Sequence, residues 1–287
     1  MQIFYKKRFY FLVAIIGLVL LANSCVTLRK TDKQVYKSFQ KVQQEAAIYY
    51  TLFDQKKMRY ITNKPFKKKL PIILFVHGAP GSSSDFYKYL QDTDLQKKAN
   101  LISVDRLGYG FSDYGTTEIS IKKQAEAINN IANLYKKSKI ILVGWSYGGP
   151  IIAKMAMDNN LYTQLVLLAP AISPKDEKYF WFGNFAKWKA TKWFVPKPFV
   201  VAENEKLAHA KELKKIASNW KNIKIPITYF HGDKDRLVPY KNMQFIQKKV
   251  ADSLLKCITL KGRNHFIPFS EYNKIKSELL SILDNLD

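Results

Sequence analysis

Runs of consecutive apolar residues recur along the chain between residues 70 and 260, and polar or turn-forming residues bound each run. A continuous apolar run of this length is typical of a strand that is buried on both faces of a parallel sheet. The pattern therefore predicts six buried strands, at residues 70–76, 100–104, 139–143, 164–169, 225–230 and 256–260.

Segments with helical periodicity separate these strands. Apolar residues recur at helical spacing in residues 119–136, and residues 270–286 repeat that pattern at the end of the chain. Strands that alternate with helices predict an α/β fold, with a doubly wound, mostly parallel sheet covered on both faces. Ahead of it, the apolar residues 47–53 and 58–61 predict an antiparallel hairpin.

The section from residue 173 to residue 224 breaks the alternation, because it contains no strand-like run but many aromatic residues. An insert of this size at the carboxyl ends of the strands, where α/β sheets bind ligands, predicts a small helical lid. Some of its aromatic side chains are expected to line an apolar pocket. The core is then residues 47–172 and 225–287, and residues 25–46 are expected to form a polar tether outside it.

The N-terminus has the layout of a secretory signal. Lys6, Lys7 and Arg8 precede an apolar run over residues 9–22, which is too short for a comfortable membrane span. The segment ends at Cys25 and resembles a bacterial lipoprotein signal, although Ala22 stands where Leu is more usual. That resemblance implies that residues 1–24 are removed and that Cys25 is lipid-anchored in the cell envelope, on the periplasmic side. An uncleaved anchor and a soluble secreted form are the alternatives.

The net charge of +24 comes from 41 lysines against 6 arginines, scattered over the whole chain. Nucleic-acid recognition relies on arginine, so this balance predicts no nucleic-acid partner. A lysine-rich composition and adhesion to anionic lipid headgroups both explain the charge. If Cys25 is acylated, Cys257 has no disulfide partner and is expected to pack as a small apolar residue. The sequence gives no indication of the oligomeric state.

The sequence Gly144-Trp145-Ser146-Tyr147-Gly148 follows the third predicted strand and precedes a helix. A serine at the apex of such a turn has its hydroxyl exposed above the sheet, and the two glycines allow the helix to approach the strand. Ser146 is therefore the candidate nucleophile. Its hydroxyl needs a general base and a third group that orients this base.

The chain has four histidines, and His265 is the candidate general base. It follows the sixth predicted strand in a loop that can extend over Ser146. His77 and His231 stand at strand ends before glycine and are expected to be structural, hydrogen-bonded residues. His209 lies in a segment of the insert rich in lysine and alanine and is expected to face solvent.

Two carboxylates after the fifth predicted strand, Asp233 and Asp235, are candidates for the orienting acid. Asp235 is preferred, and Asp233 is expected to cap the turn. The resulting order of Ser146, Asp235 and His265 along the chain is the one expected for this type of nucleophile turn.

The oxyanion of an acyl-transfer reaction needs two backbone N–H donors. Tyr147 N–H, directly after the nucleophile, is one candidate. The loop after the first predicted parallel strand, residues 77–82, supplies the second, at Ala79. The glycine-rich loop at residues 105–112 is expected to have an architectural role.

These motifs, in this order, resemble the α/β-hydrolase superfamily over residues 47–286. They are H-G-x-P-G at 77–81, D-R-x-G-x-G-x-S at 105–112, G-x-S-x-G at 144–148, G-D-x-D at 232–235 and N-H-F at 264–266. The resemblance implies a serine hydrolase with a Ser-Asp-His triad. No phosphate-binding glycine loop or metal-ligand cluster is present in the sequence, so no cofactor is implied.

The resemblance narrows the reaction without fixing the substrate. A serine at position 146 argues against haloalkane dehalogenases and epoxide hydrolases, which use aspartate there. Pro80-Gly81 is similar to proline iminopeptidases, which need acidic lid residues to hold a substrate amine, and Glu203 and Glu205 are candidates for this role. The insert is otherwise basic, which favours a neutral or anionic acyl substrate.

The expected function is therefore hydrolysis of a carboxylic ester with a small to medium apolar acyl group, through an acyl-enzyme. The alternatives are a peptidase similar to proline iminopeptidases and a hydrolase of C–C bonds or lactones. A lipid-anchored ligand-binding protein that keeps the fold without turnover is the non-enzymatic alternative. The expected partners are a small-molecule ester or amide and, through the N-terminal lipid, a membrane.

Overall fold

The computed structural model describes residues 28–179, 188 and 194–286, together with residues 8, 10, 11, 13 and 17. Cys25 and the other residues of the signal segment lie outside the described residues, as do Phe180, Trp181, Phe182, Phe185 and Trp193 of the insert. Within the described ranges, no helix combines the length and the apolar character that a membrane span requires.

An eight-stranded sheet lies at the centre of the described structure, with the strand order β1-β2-β4-β3-β5-β6-β7-β8. In this order, each strand from β4 to β8 pairs in parallel with the next. Strands β1 and β2 form an antiparallel hairpin, and β2 also pairs antiparallel with β4. Strands are present at all six predicted positions, and the mostly parallel α/β prediction is confirmed. The sixth, β8, is not buried as predicted, because it lies at the edge of the sheet and only Leu260 in it is buried. The strands are β1 (Glu45–Phe53), β2 (Lys56–Lys64), β3 (Ile72–Val76), β4 (Asn100–Val104), β5 (Ile140–Trp145), β6 (Tyr162–Leu168), β7 (Ile227–Gly232) and β8 (Leu255–Leu260).

Helices cover both faces of this sheet, as the alternation predicts. Helices α4, α5 and α7 pack on one face, and α1, α2, α3 and α9 pack on the other. In order along the chain the described helices are α1 (Asp32–Gln40), α2 (Tyr87–Leu90), α3 (Thr93–Lys98), α4 (Ile121–Asn133), α5 (Gly148–Asp158), α6 (Lys197–Ile216), α7 (Lys241–Gln247), α8 (Ile267–Ser270) and α9 (Tyr272–Asp284).

Strand β3 shows why the predicted runs are continuously apolar. Ile72, Leu74 and Val76 belong to the core on one face of the sheet. Ile73 and Phe75 belong to the core on the other face. Successive side chains of a strand point to opposite faces, so a strand covered on both faces needs apolar residues at every position.

The segment expected to be a polar tether contributes to the core instead. Thr31 caps helix α1 in a reciprocal capping box with Gln34, and Val35 and Phe39 on this helix are fully buried. The strand β1 that follows begins at Glu45. Two apolar residues four positions apart are enough to attach this otherwise polar helix to the sheet, so the packed domain includes residues 32–46.

The β1–β2 hairpin forms as predicted, with a tighter connection than the polar residues suggest. Asp54 and Gln55 both have positive φ values, +46° and +63°, and they form the two-residue loop. Two successive positive φ values are typical of the turn whose twist matches that of the flanking strands. Cys257, on the opposite edge strand, is half-buried and packs against the core, as expected for an apolar residue.

Candidate active site

Ser146 lies at a sharp turn between strand β5 and helix α5. Its φ of +54° falls in the left-handed region, which residues other than glycine rarely adopt. Three hydrogen bonds hold this conformation: Ser146 N–H donates to the Leu168 carbonyl (3.0 Å), and the N–H groups of Gly149 (3.0 Å) and Ala171 (3.2 Å) donate to the Ser146 carbonyl. Strain of this kind is characteristic of functional positions, where it fixes the direction of a side chain.

The glycines that flank Ser146 are required by close backbone contacts. A Cβ at Gly148 would lie 2.3 Å from the Val76 carbonyl oxygen, and one at Gly144 would lie 2.6 Å from the Gly148 carbonyl oxygen. Side chains at these positions would therefore separate the start of α5 from β3 and β5. This contact is the one that the sequence motif predicts.

Ser146 opens into a cavity of about 510 Å³. The cavity brings together four of the predicted site residues, Ser146, Tyr147, His265 and Ala79. These residues follow strands β5, β8 and β3, so the cavity lies at the carboxyl ends of the parallel strands. Most of the remaining wall is apolar, and it includes Pro80, Trp145, Ala171, Val195, Phe199, Ala202, Leu237, Val238 and Phe266.

The fifth predicted site residue, Asp235, is bound directly to His265. Nδ1 of His265 lies 2.7 Å from Oδ2 of Asp235. The other carboxylate oxygen, Oδ1, accepts hydrogen bonds from the backbone N–H groups of Leu237 and Val238, at 2.8 Å each. An ionised carboxylate can only accept hydrogen bonds, so Nδ1 of His265 carries a proton. In the neutral imidazole Nε2 is then a free base.

Asp235 is held in its charged form. Burial alone would raise the pKa of Asp235, but hydrogen bonds from His231, His265 and the Val238 N–H outweigh it and hold the pKa well below its ordinary range. Nε2 of His231 lies 3.3 Å from Oδ2 of Asp235. The sequence predicts a structural role for His231 but does not show that Asp235 is its partner.

Asp233, the other candidate acid, has a different role. Its side chain is exposed and accepts a hydrogen bond from Gly262 N–H at 2.7 Å. This bond ties the loop after β7 to the turn after β8, in keeping with the predicted capping role. Of the two carboxylates, the structure brings Asp235 to His265.

The loop that carries Ala79 is fixed by Arg106. The Arg106 guanidinium donates hydrogen bonds to the carbonyls of His77 (3.1 Å) and Gly78 (3.0 Å), and Arg106 N–H donates to Nε2 of His77 (3.1 Å). Burial, with a smaller contribution from the charge of Arg106, lowers the pKa of His77 well below its ordinary value, so this histidine is neutral. His77 therefore has the structural role that the sequence predicts.

The glycine-rich loop at residues 105–112 is built around a buried carboxylate. Asp105 accepts hydrogen bonds from the side chain of Arg59 (2.8 Å) and from the backbone N–H groups of Ser83 (2.8 Å) and Phe111 (2.9 Å). These bonds connect the loops that follow β3 and β4, which agrees with the architectural role expected for this motif.

A model of the α/β hydrolase fold family matches residues 71–192. Among solved structures, a membrane phospholipase A described as a bacterial virulence factor superimposes with a TM-score of 0.67 and 16% identity. The alignment covers 99% of this chain and all of the phospholipase chain. The chain has the α/β-hydrolase fold. A peroxisomal α/β-hydrolase of Saccharomyces cerevisiae (TM-score 0.65, 14% identity) aligns over 84% of this chain and 89% of its own.

A third solved structure, of a putative aryl esterase from Burkholderia cenocepacia, has a TM-score of 0.66 and 16% identity over 83% of this chain and 98% of its own. Among curated proteins, a 1-acylglycerol-3-phosphate O-acyltransferase of Arabidopsis thaliana is 29% identical over 142 residues. That match covers 46% of this chain and spans only 34% of the plant protein's length. At these identities the structural likeness establishes the fold alone.

Within this α/β-hydrolase fold, the insert is attached through Glu205 of helix α6. The sequence suggests Glu205 as a carboxylate that could hold a substrate amine, and the structure shows otherwise. Glu205 is fully buried and pairs with Arg106 through two hydrogen bonds, of 2.7 and 3.1 Å. Tyr109 (2.6 Å) and Gln124 (3.2 Å) donate to it as well. Of the two candidate carboxylates, Glu203 is the one that lines the cavity.

His209, which the sequence predicts to face solvent, is only 1% exposed. Its Nδ1 lies 2.8 Å from Oε1 of Glu177, and its ring stacks on that of Tyr147 with the centroids 4.4 Å apart. His209 is buried because one stripe of α6 faces the cavity. The sequence does not indicate this burial, since lysines and alanines surround His209 in the chain. The stripe has helical spacing and consists of Phe199, Ala202, Glu203, Lys206 and His209.

Trp145 is a further residue of the site that sequence analysis does not identify. Its indole N–H donates to the His265 carbonyl at 3.1 Å, and the centroids of the two side-chain rings lie 5.6 Å apart. Trp145 thus supports the loop that carries His265. The motif G-x-S-x-G leaves this position unspecified, so the motif contains no signal for this role.

Proposed function

We propose that the protein is a serine hydrolase that cleaves carboxylic esters through an acyl-enzyme. The observation that carries this proposal is that a strained Ser146 and His265 line the same cavity, and that His265 is hydrogen-bonded to a charged Asp235. A serine needs an oriented base in order to act as a nucleophile, and these residues supply the base and the group that orients it.

In the proposed mechanism, Nε2 of His265 accepts the proton of Ser146 while the serine oxygen attacks the ester carbonyl. Asp235 stabilises the imidazolium that forms, and the backbone N–H groups of Ala79 and Tyr147 stabilise the oxyanion. His265 then donates its proton to the departing alcohol. A water molecule, activated by the same histidine, hydrolyses the acyl-enzyme and regenerates Ser146.

The lining of the cavity supports an ester with a small to medium apolar acyl group. Its walls are mostly apolar, and its volume of about 510 Å³ lies within the range of small-molecule sites. Glu205 forms an ion pair with Arg106 and is therefore not available to a substrate amine. Glu203 lines the cavity, but the positive charge of Lys206 lies on the same helical stripe and disfavours binding of an amine there. Two structurally similar proteins are named as a phospholipase and an aryl esterase, and these names support the ester class.

A fluorophosphonate probe tests the nucleophile. We expect the folded protein to be labelled at Ser146 and Ser146→Ala to be unlabelled, because only an activated serine attacks the probe at an appreciable rate. Peptide mapping by mass spectrometry locates the label. Absence of labelling in the folded protein would reject the hydrolase in favour of a ligand-binding protein.

A substrate panel then distinguishes the reaction classes. We expect turnover of p-nitrophenyl esters of short to medium chain length to exceed turnover of amino-acid amides and lactones. A preference for proline amides or for lactones would instead support the corresponding alternative.

We further propose that Cys25 carries a lipid that anchors the protein in the bacterial envelope. In the organism that produces the protein, we expect Cys25→Ala to move it from the membrane to the soluble fraction. Cys257→Ala is the matched control, since it removes the other cysteine of the chain and should leave the protein in the membrane fraction. Retention of Cys25→Ala in the membrane would contradict the anchor.

A further inference from the structure

The chain enters the folded domain at the edge of the sheet that carries the catalytic cavity. The guanidinium of Arg29 lies over the ring of Tyr114, 3.9 Å from its centroid, and over that of Phe111 at 4.7 Å. Both aromatic residues belong to the loop that follows β4, at the carboxyl end of this strand. The Arg59 guanidinium holds the next residue of the chain, since it donates to the Lys30 carbonyl at 2.9 Å. The segment that leads into the domain is therefore fixed at the carboxyl ends of the strands.

The insert lies on the same side of the domain as this entry point. Nζ of Lys197, the first residue of helix α6, lies 5.9 Å from the centroid of the Tyr114 ring. The side chain of Lys197 also packs on Gly115, where a Cβ would lie 2.9 Å from its Cδ atom. Helix α6 contributes one stripe of side chains to the cavity wall, including Phe199 and Ala202. Tyr114 thus connects the entry of the chain with the insert that lines the cavity.

The connection from the entry point to the proposed anchor is short. Cys25 precedes Leu28, the first residue of the described range, by three positions. A fully extended chain spans at most about 3.6 Å per residue, so a lipid on Cys25 holds Leu28 within about 11 Å of the membrane surface. A strand of the length of β5 is already about 20 Å long. An orientation with the carboxyl edge turned away from the membrane would therefore place Leu28 beyond this reach.

Four exposed apolar side chains lie at the mouth of the cavity on this edge, and we call them the apolar rim. Phe199, Leu237 and Phe266 line the cavity, yet they are 38–48% exposed. Phe269 is 46% exposed and packs edge-on against the ring of Trp145, with the centroids 5.4 Å apart. The four residues come from the insert and from the segments after β7 and β8, so three parts of the chain converge on one apolar surface. Exposed apolar surface around a binding cavity marks a site of interaction.

Cations border the apolar rim. The loops that carry Leu237 and Phe266 are residues 233–237 and 261–266, which follow β7 and β8. The exposed charged side chains of these two loops are one carboxylate and four cations, namely Asp233, Lys234, Arg236, Lys261 and Arg263. Anionic lipid headgroups attract such basic surfaces, and the hydrocarbon beneath the headgroups takes up aromatic and aliphatic side chains. An apolar centre with a cationic border therefore matches the layers of an anionic bilayer.

We propose that the apolar rim docks on an anionic lipid bilayer, so that the cavity opens towards the membrane and the substrate is a lipid ester drawn from it. This inference rests on the proposed ester hydrolysis at Ser146 and on the proposed anchor at Cys25. An acyl chain that moves from the bilayer into the mostly apolar cavity stays out of water, which removes the main cost of extracting it. The substrate class is therefore a carboxylic ester whose acyl chain lies in the bilayer.

A pair of esters with the same leaving group tests the docking. The full-length protein is reconstituted in vesicles of the diether analogue of phosphatidylglycerol, which contains no carboxylic ester bond. The longer ester, p-nitrophenyl dodecanoate, partitions into these vesicles, whereas p-nitrophenyl butyrate stays largely in water. The readout is the ratio of kcat/KM for the membrane ester to kcat/KM for the soluble ester, because damage to the catalytic residues lowers both alike.

Phe269→Ser is expected to lower this ratio about fivefold, because the variant loses the transfer of a half-exposed phenylalanine side chain into the bilayer. Phe269 is chosen because it is not among the described residues of the cavity wall. Leu134→Ser is the matched control, since Leu134 is 61% exposed but lies between α4 and β5, at the amino ends of the strands. Its ratio should stay at the wild-type value.

Lys234→Gln combined with Arg236→Gln tests the cationic border independently. We expect the ratio to fall about tenfold on the phosphatidylglycerol diether vesicles and to stay unchanged on phosphatidylcholine diether vesicles, since only anionic headgroups attract the border. Lys68→Gln combined with Lys69→Gln is the control, because both lysines are exposed and precede β3, at the opposite edge of the sheet. The variant at positions 234 and 236 leaves Phe269 in place, so it decides the question if Phe269→Ser does not fold.

A ratio that stays at the wild-type value in Phe269→Ser and in the combined Lys234 and Arg236 variant would overturn the docking. An equal fall in Leu134→Ser would overturn it as well, since the effect would not be specific to the apolar rim. Turnover of the soluble ester and labelling of Ser146 report on the hydrolase, and the fractionation of Cys25→Ala reports on the anchor. An active, labelled and anchored protein with unchanged ratios therefore rejects the docking alone.

Discussion

Asp235→Asn is expected to lower kcat for ester hydrolysis by about 10⁴-fold, the size of effect seen when the acid of such a triad becomes an amide. The reason lies in how the carboxylate is held. The backbone N–H groups of Leu237 and Val238 both donate to Oδ1, so the amide oxygen of an asparagine would occupy that position. Its NH₂ group would then face Nδ1 of His265, which would have to give up its proton to accept.

The consequence is the wrong tautomer of the base. With Nδ1 as acceptor, Nε2 carries the proton in the neutral imidazole and cannot accept one from Ser146. Steady-state kinetics on a p-nitrophenyl ester measures the loss, and fluorophosphonate labelling should slow in parallel.

Asp233→Asn is the matched control for this substitution. Asp233 lies two residues away, is exposed and caps a turn through Gly262 N–H. An asparagine oxygen can accept the same bond, so kcat should change by less than about threefold. A large loss in Asp233→Asn together with a small loss in Asp235→Asn would reverse the assignment of the orienting acid.

Glu205→Gln is expected to lower the free energy of unfolding by about 3–5 kcal/mol, the cost of breaking a buried ion pair from one side. Arg106 and Glu205 are both fully buried, and Glu205 accepts hydrogen bonds from Arg106, Tyr109 and Gln124. Burial alone would lower the pKa of Arg106, but the charge of Glu205 outweighs it and raises the pKa. A guanidinium is not deprotonated in proteins, so Arg106 stays charged after the substitution and loses its counter-ion.

Urea denaturation, followed by circular dichroism, measures this loss. Glu126→Gln is the control, since Glu126 pairs with Lys122 on an exposed face of α4 at 3.6 Å. Exposed pairs of this kind contribute little, so the control should change the free energy of unfolding by less than about 0.5 kcal/mol. If the two variants lost similar amounts of unfolding free energy, the ion pair between Arg106 and Glu205 would not be a major source of stability.

The Glu205 variant should also reduce activity, because Arg106 holds the carbonyls of His77 and Gly78 in the loop that carries Ala79. Through this arginine, one buried contact connects helix α6 of the insert to the proposed oxyanion donor. A shift of the loop would weaken the stabilisation of the transition state, so we expect kcat to fall more than KM rises.

The positions of the strands along the chain and the order of the proposed triad residues could be predicted from the sequence. Strands such as β3 are covered on both faces, so every position is apolar and the run stands out in the chain. Ser146 and Asp235 follow buried strands and His265 follows the edge strand β8, and the carboxyl ends of these parallel strands meet at one edge of the sheet. Local signals therefore specified a constellation formed by residues far apart in sequence.

The partners of the charged residues in the insert could not be predicted in this way. Glu205 and Arg106 are separated by 99 positions, and nothing near either residue indicates the other. His209 lies among lysines and alanines, a composition that favours an exposed helix, yet its face of α6 turns towards Tyr147 and Glu177. Polar residues can be buried when they are paired, so their type alone does not determine their exposure.

The sequence by itself thus determined the sheet, the nucleophile turn and the order of the proposed catalytic residues, because these depend on backbone geometry and on apolar periodicity within short segments. The tertiary structure alone decided that residues 32–40 pack on the sheet, that Glu205 pairs with Arg106 rather than with a substrate, and that His209 is buried against Tyr147 and Glu177. Each of these depends on contacts between segments that are distant in the chain. Hydrogen-bond and charge pairing over such separations leaves no periodic trace in the sequence.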